Sequence, residues 1–127
     1  MYQQKCITCT YLKTGNTHTF KNTGLEFKIK HNFSCSSKNV IYVLICANCS
    51  KEYIGQTSCL KDRLTVHRQH IRDSRLRILD VSKHLHNCSK GRFQAFPFYQ
   101  MNSNNKIERE IKEQFFIDKM RPDLNCL

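Results

Sequence analysis

Residues 39–57 read NVIYVLICANCSKEYIGQT, and no other stretch restricts the fold as much. Residues 40–46 are rich in β-branched and aromatic side chains and predict a strand; residues 52–57 predict a shorter one ending near Gly55. The polar break between them predicts a turn, so the two strands pair as an antiparallel hairpin. Each arm carries a tyrosine, Tyr42 and Tyr53, and the tip carries Cys46-x2-Cys49.

The rest of the chain supplies elements to cover that hairpin. Ser58 stands at the N-cap position of a helix predicted over 59–77, with Leu60, Leu64 and Ile71 at helical spacing. Arg63, His67 and His70 share a face bordering that apolar stripe. Residues 79–88 predict a short second helix. The stretch FQAFPFYQM, 93–101, predicts a third strand, with Pro97 at an edge or a bulge. Ser103 is the expected cap of a last helix, 104–120, with an apolar face of Ile107, Ile111, Phe115 and Met120, and Pro122 just beyond its end. This order predicts a small α+β domain, a three-stranded antiparallel sheet flanked by helices. Residues 1–38 are polar, with CITC at 6–9 and a period-two patch, Leu25, Phe27 and Ile29, that predicts one strand. They read as a lead-in segment to a main domain at 39–127.

A chain of 127 residues suffices for one core. Lys and Arg number 21 against 10 Asp and Glu, a net charge of +11, which makes nucleic acid the first partner to consider ahead of any small molecule. No run approaches the roughly 18 apolar residues of a membrane span, and MYQQKCITC lacks the apolar segment of a secretory signal. The expectation is a cytoplasmic or nuclear protein, neither secreted nor membrane-bound. That compartment favours reduced thiols and metal ligation for the eight cysteines, with a disulfide framework as the alternative. Cys46 and Cys49 have the spacing of a zinc knuckle, and His84 and Cys88, spaced x3, can complete a tetrahedral site in a zinc-finger-like insertion. His86 competes, although helical geometry puts it nearly opposite positions 84 and 88. Cys6-x2-Cys9 has only a loose completion in Cys35 with His18 or His31, and Cys59 and Cys126 have no evident partner.

The ordered set Ile41-Tyr42, Tyr53-Ile54-Gly55, Arg63-x3-His67, a glutamate in KEQFFI and a final Leu124-Asn125 resembles the GIY-YIG nuclease family over about residues 39–126. Val40 stands where the first motif has glycine. Within the family the likeness is to the endonuclease domain of Penelope-like retroelements, which also place a cysteine pair between the tyrosine motifs and a histidine-containing second half of a zinc site downstream.

The resemblance implies an endonuclease that hydrolyses a DNA phosphodiester with Mg²⁺ or Mn²⁺. It would nick target DNA to leave a 3′-hydroxyl, with a reverse transcriptase on the parent element as partner and this chain as a separated or truncated endonuclease. It assigns the metal to Glu113, with Glu110 and Glu108 as alternatives if the helix phase shifts. Tyr42 becomes general base or positioner of the attacking water, and Tyr53 a hydrogen-bond partner of the scissile phosphate. Arg63 becomes a two-pronged phosphate ligand, and His67 a proton shuttle or a prop for Tyr42 and phosphate. Gly55 permits a close approach, Arg68 and His70 bind substrate, and Asn125 orients the site. Against this stand plainer readings: two cross-strand aromatics over a core, surface Arg63 and Glu113, and a zinc-stabilised nucleic-acid-binding module that does not cut.

Overall fold

A computed structural model describes residues 7–29 and 33–125 of the chain. A 3₁₀ turn, Thr8–Tyr11, leads to a two-stranded hairpin of β1 (Thr17–Thr19) and β2 (Glu26–Lys28), the latter centred on the predicted Leu25-Phe27-Ile29 patch. Next come β3 (Lys38–Cys46), β4 (Glu52–Cys59), α1 (Leu60–Arg72), α2 (Asp80–Ser89), β5 (Phe93–Gln100) and α3 (Lys106–Met120). The strands β4, β3 and β5 form an antiparallel sheet in that order, with β3 in the centre. This is the α+β architecture expected from the sequence.

The centre position explains why β3 is almost uniformly apolar: residues 41–46 are buried on both faces. Val40, Tyr42, Leu44 and Cys46 face α1 and α2 through Leu60, Leu64, Ile71, Val81 and Leu85. Ile41, Val43 and Ile45 face the other way, with Ile54, Phe96 and Phe98, toward Phe116 and Met120 of α3. β5 is an edge strand. Tyr42 pairs with Pro97 but Ile41 with Tyr99, so Phe98 is the extra residue of a bulge beside the proline, which has no N–H to give a ladder.

The hairpin of β1 and β2 covers the α3 face of the sheet. Phe20 is fully buried against Phe98, and burial of such a ring contributes on the order of 1.5–3 kcal/mol. His18 Nε2 makes a short contact with Glu52 Oε2, and the Lys21 amide donates to Glu52 Oε1 at 2.9 Å. Burial of the Glu52 carboxylate is tolerable because both oxygens are engaged.

Three local expectations are corrected. Ser58 does not cap α1: β4 pairing runs through Cys59, which takes the N-cap position with no side-chain cap bond. The helix also stops at Arg72 rather than 77, because Asp73 leaves helical geometry and binds the Arg75 amide and guanidinium. Asn105, not Ser103, caps α3 by accepting from the Glu108 amide at 3.1 Å, while Ser103 Oγ donates to the Glu108 carboxylate.

The phase of α3 also differs from expectation. Ile107, Ile111 and Phe115 are exposed, and the packed residues are Arg109, Phe116 and Met120. The Phe116 ring meets those of Phe98 at 5.0 Å, Tyr99 at 5.4 Å and Phe27 at 5.9 Å. One face over, the Arg109 guanidinium is buried and donates to Gln56 Oε1, Asn39 Oδ1 and the Asn104 carbonyl. These contacts rotate position 113, four residues after Arg109 and three before Phe116, toward β4.

Candidate active site and metal cluster

Tyr42 projects from the middle of β3 into the α1 face and is fully buried. Its cross-strand neighbour is Gly55. A β-carbon at position 55 would fall 2.5 Å from Cζ of the Tyr42 ring, so the glycine makes room for that ring. The close approach expected at Gly55 is made in this structure by the Tyr42 ring.

Two turns of α1 place Arg63 and His67 over the tyrosines. His67 Nε2 lies 2.8 Å from Tyr42 Oη, and the imidazole meets the Tyr53 ring edge-on at 5.7 Å. Burial, reinforced by the charges of Arg63 and His70, pushes the His67 pKa down to about 3, so the ring is neutral at physiological pH. Burial, then the Tyr53 phenol, pushes Tyr42 well above the ordinary phenol value; Arg63 pulls it down and Glu113 pushes it up. Tyr53 is raised by burial too, with Arg63 again opposing. Burial disfavours the Arg63 charge, but its interactions with Tyr42 and Tyr53 outweigh that, and the half-buried guanidinium is held firmly charged.

Glu113 completes this group from α3. Burial raises its pKa, the Gln56 backbone amide holds it down, and the charges of Glu110 and Arg63 act on it in opposite senses. A partly desolvated carboxylate thus stands within electrostatic reach of both tyrosines and the arginine. Asn125 secures the same edge: its Oδ1 accepts from the Ile54 amide at 2.7 Å and its Nδ2 donates to the Ile54 carbonyl at 2.8 Å, between Tyr53 and Gly55. Arg68 is not part of the group. It donates to Thr8 and Thr65 and lies over the Tyr11 ring, on the side of α1 facing the lead-in. His70 acts through its charge on His67.

The GIY-YIG catalytic domain family model matches residues 38–125, well over half of the chain and every member of this group. The chain belongs to the GIY-YIG family. No curated protein and no solved structure gives a match. As a GIY-YIG domain it is a nuclease, a hydrolase acting on DNA, and nucleases of this family use divalent metals.

At the far end of the hairpin the GIY-YIG domain carries a second cluster. Donor atoms of Cys46, Cys49, His84 and Cys88 all lie within 4.8 Å of one another, a set that can hold a metal ion. Cys49 Sγ is 3.2 Å from His84 Nε2, and Asn48 Nδ2 donates to the Cys88 sulfur at 3.3 Å. Burial opposes ionisation of Cys46, but the amides of Cys49 and Asn48 and the side chains of Ser89 and His84 overcome it and bring the thiol down to about 6. Three thiols, one of them ready to ionise, and one imidazole match the donor set of a closed tetrahedral zinc site. His86 is exposed and outside the cluster, as helical geometry predicts. No disulfide joins any two of the described cysteines, and no described helix is long and apolar enough to cross a membrane. Cys6, His31 and Cys126 lie outside the described residues.

Some contributors gave no signal in the sequence. Arg109 and Gln56 fix the approach of Glu113, and Asn48 and Ser89 serve the cysteine cluster. A buried arginine on the packed side of a helix is such a signal only once the helix phase is known.

Proposed function

We propose that this nuclease is a metal-dependent endonuclease that nicks DNA for retroelement integration, related to the Penelope-like endonucleases, with residues 1–38 as lead-in and 39–127 as catalytic domain. The observation that carries the reading is the convergence of Tyr42, Tyr53, Arg63, His67 and Glu113 around the paired strands β3 and β4. Arg63 binds non-bridging phosphate oxygens and balances the charge that grows on them as water attacks phosphorus. Tyr53 hydrogen-bonds the scissile phosphate. Tyr42 positions the attacking water, and neutral His67, hydrogen-bonded through Nε2, keeps the phenol in a fixed orientation. Glu113 would hold Mg²⁺ or Mn²⁺ with water and phosphate oxygens as the other ligands; when bound, that ion supplies positive charge at the reacting phosphate. The P–O3′ bond breaks, the phosphate stays on the 5′ side, and a 3′-hydroxyl is left, the end a reverse transcriptase partner extends.

Zinc in the Cys46, Cys49, His84, Cys88 cluster fixes the hairpin tip against α2, and a reducing nuclear or cytoplasmic setting keeps its thiols available. The test is Mg²⁺- or Mn²⁺-dependent nicking of a supercoiled plasmid. Wild type nicks, and Glu113→Gln retains fold and DNA binding without nicking. Full nicking by that variant removes Glu113 from the reaction, and a folded wild type that binds without nicking makes the chain a binding module.

A further inference from the structure

We infer a second zinc centre, in the lead-in, with Cys9 and Cys35 as thiolate ligands. Their sulfurs lie 3.2 Å apart although the residues are 26 positions distant in sequence. Cys9 sits in the 3₁₀ turn Thr8–Tyr11. Cys35 sits in a tight turn closed by the Ser37 amide on the Ser34 carbonyl and by the Ser34 amide on Ser37 Oγ. Cys35 is buried and Cys9 half-buried, so the two sulfurs meet away from bulk solvent. Two unrelated turns each present one sulfur to the same point.

The geometry suits a tetrahedral thiophilic ion. With Zn–S bonds near 2.3 Å, two thiolates on one ion stand roughly 3.8 Å apart, about 0.6 Å more than the separation here and within reach of χ1 rotations. The Cys46 cluster shows the same habit, its Cys49 and His84 donor atoms also meeting at 3.2 Å. Thiolate pairs select zinc over the hard cations that suit Glu113. Of the lead-in histidines considered from the sequence, His18 is excluded: Nε2 is on Glu52, and Nδ1 is 2.9 Å from Lys13 Nζ.

Such a centre has a distinct mechanical place. Cys46 ends β3, and Cys35 precedes its first residue, Lys38, by three. One ion therefore braces each end of the strand that carries Tyr42. The lead-in ion also fixes the turn on which Arg68 of α1 rests through Thr8 and the Tyr11 ring.

The test is zinc content per chain of the whole 127-residue chain purified with and without reductant, with masses of the latter taken on the intact, unreduced chain. The wild type carries two zinc ions. Cys9→Ser/Cys35→Ser carries one, and so does Cys46→Ser/Cys49→Ser. Cys35→His, which keeps a ligand, retains two and separates ligation from fold. A double Ser variant at 9 and 35 with the wild-type metal count overturns the proposal, and so does a wild-type mass two hydrogens short that maps to a Cys9–Cys35 disulfide. Because the readout is metal rather than cleavage, an inactive nuclease leaves this result intact, and loss of nicking without loss of zinc speaks only against the reading of Glu113.

Discussion

Gly55 lies directly beneath the ring of Tyr42, so that a β-carbon added there would come within 2.5 Å of the ring's Cζ. The ring is fully buried and tied to His67, and it has nowhere to retreat. Gly55→Ala is expected to cost about 1–3 kcal/mol of stability, as overpacking of a filled core does. Nicking should fall further than the folded fraction does, because the displaced phenol loses the orientation that His67 gives it for positioning the attacking water. Denaturant unfolding with plasmid nicking at a temperature where the variant is folded checks this, and unchanged nicking would mean the ring position is irrelevant.

Arg63 is held charged by two phenols, and its planar fork serves both. Lysine keeps the charge but not the fork. Arg63→Lys should lower the nicking rate about 10²- to 10³-fold, the loss typical of a preorganised donor to a reacting oxyanion. The unfolding midpoint should move little. Single-turnover rates at saturating enzyme separate this from weaker DNA binding, and a wild-type rate would remove the guanidinium from the transition state.

The pH dependence of stability has a calculable sign. His67 has a folded pKa near 3, whereas an unfolded histidine titrates near 6.5. Above about pH 6.5 neither state takes the proton. Below it the unfolded chain takes a proton that the folded chain refuses, so stability falls by roughly 1.4 kcal/mol per pH unit down toward the folded value. His67→Gln lacks this term. Urea unfolding of both proteins at pH 7.5 and 5 should show wild type losing about 2 kcal/mol more than the variant on acidification, and parallel losses would contradict a buried neutral imidazole.

Asn125 pairs with both backbone groups of Ile54. Asn125→Ala leaves those groups without their partner at a half-buried place and should cost about 1–3 kcal/mol. Asn125→Asp should cost a similar amount, since a carboxylate accepts from the Ile54 amide but cannot donate to its carbonyl. Hydrogen exchange at the Ile54 amide is the sensitive readout: faster exchange is expected in the alanine variant, and unchanged protection would rule the contact out.

The central strand, the hairpin and the cysteine cluster were legible in sequence because each rests on local signals: a β-branched run, a polar turn, and thiol and imidazole spacing. The tyrosines and Arg63 were singled out by resemblance to the ordered motifs of a family, since taken alone they read as cross-strand aromatics and a surface arginine. The face of α3 was not legible. Its i, i+4, i+8 stripe of Ile107, Ile111 and Phe115 is locally the best apolar face, yet it points to solvent. The contest is decided by Phe116 against Phe98 of β5 and by Arg109 against Gln56 of β4 and Asn39 of β3, partners up to 70 residues away that no periodicity encodes. Gly55 was read as a site of close approach, but what approaches it depends on the register between β3 and β4. The latch of His18 on Glu52 was likewise invisible, since 34 residues separate the pair.

The bonding of Leu124 and Asn125 to β4 also bears on solubility. A strand at the border of a sheet offers bare amides and carbonyls to any extended chain, which is how folded domains begin to aggregate. Here the Leu124 backbone amide donates to the Glu52 carbonyl, and the Asn125 side chain accepts from the Ile54 amide and donates to the Ile54 carbonyl. On the opposite border, Pro97 and the Lys13 amide bound to the Ala95 carbonyl interrupt the run. The residues that frame the reaction edge thus also deny the sheet a template for growth, and loss of the Leu124-Asn125 strap would turn a nuclease defect into a tendency to self-associate.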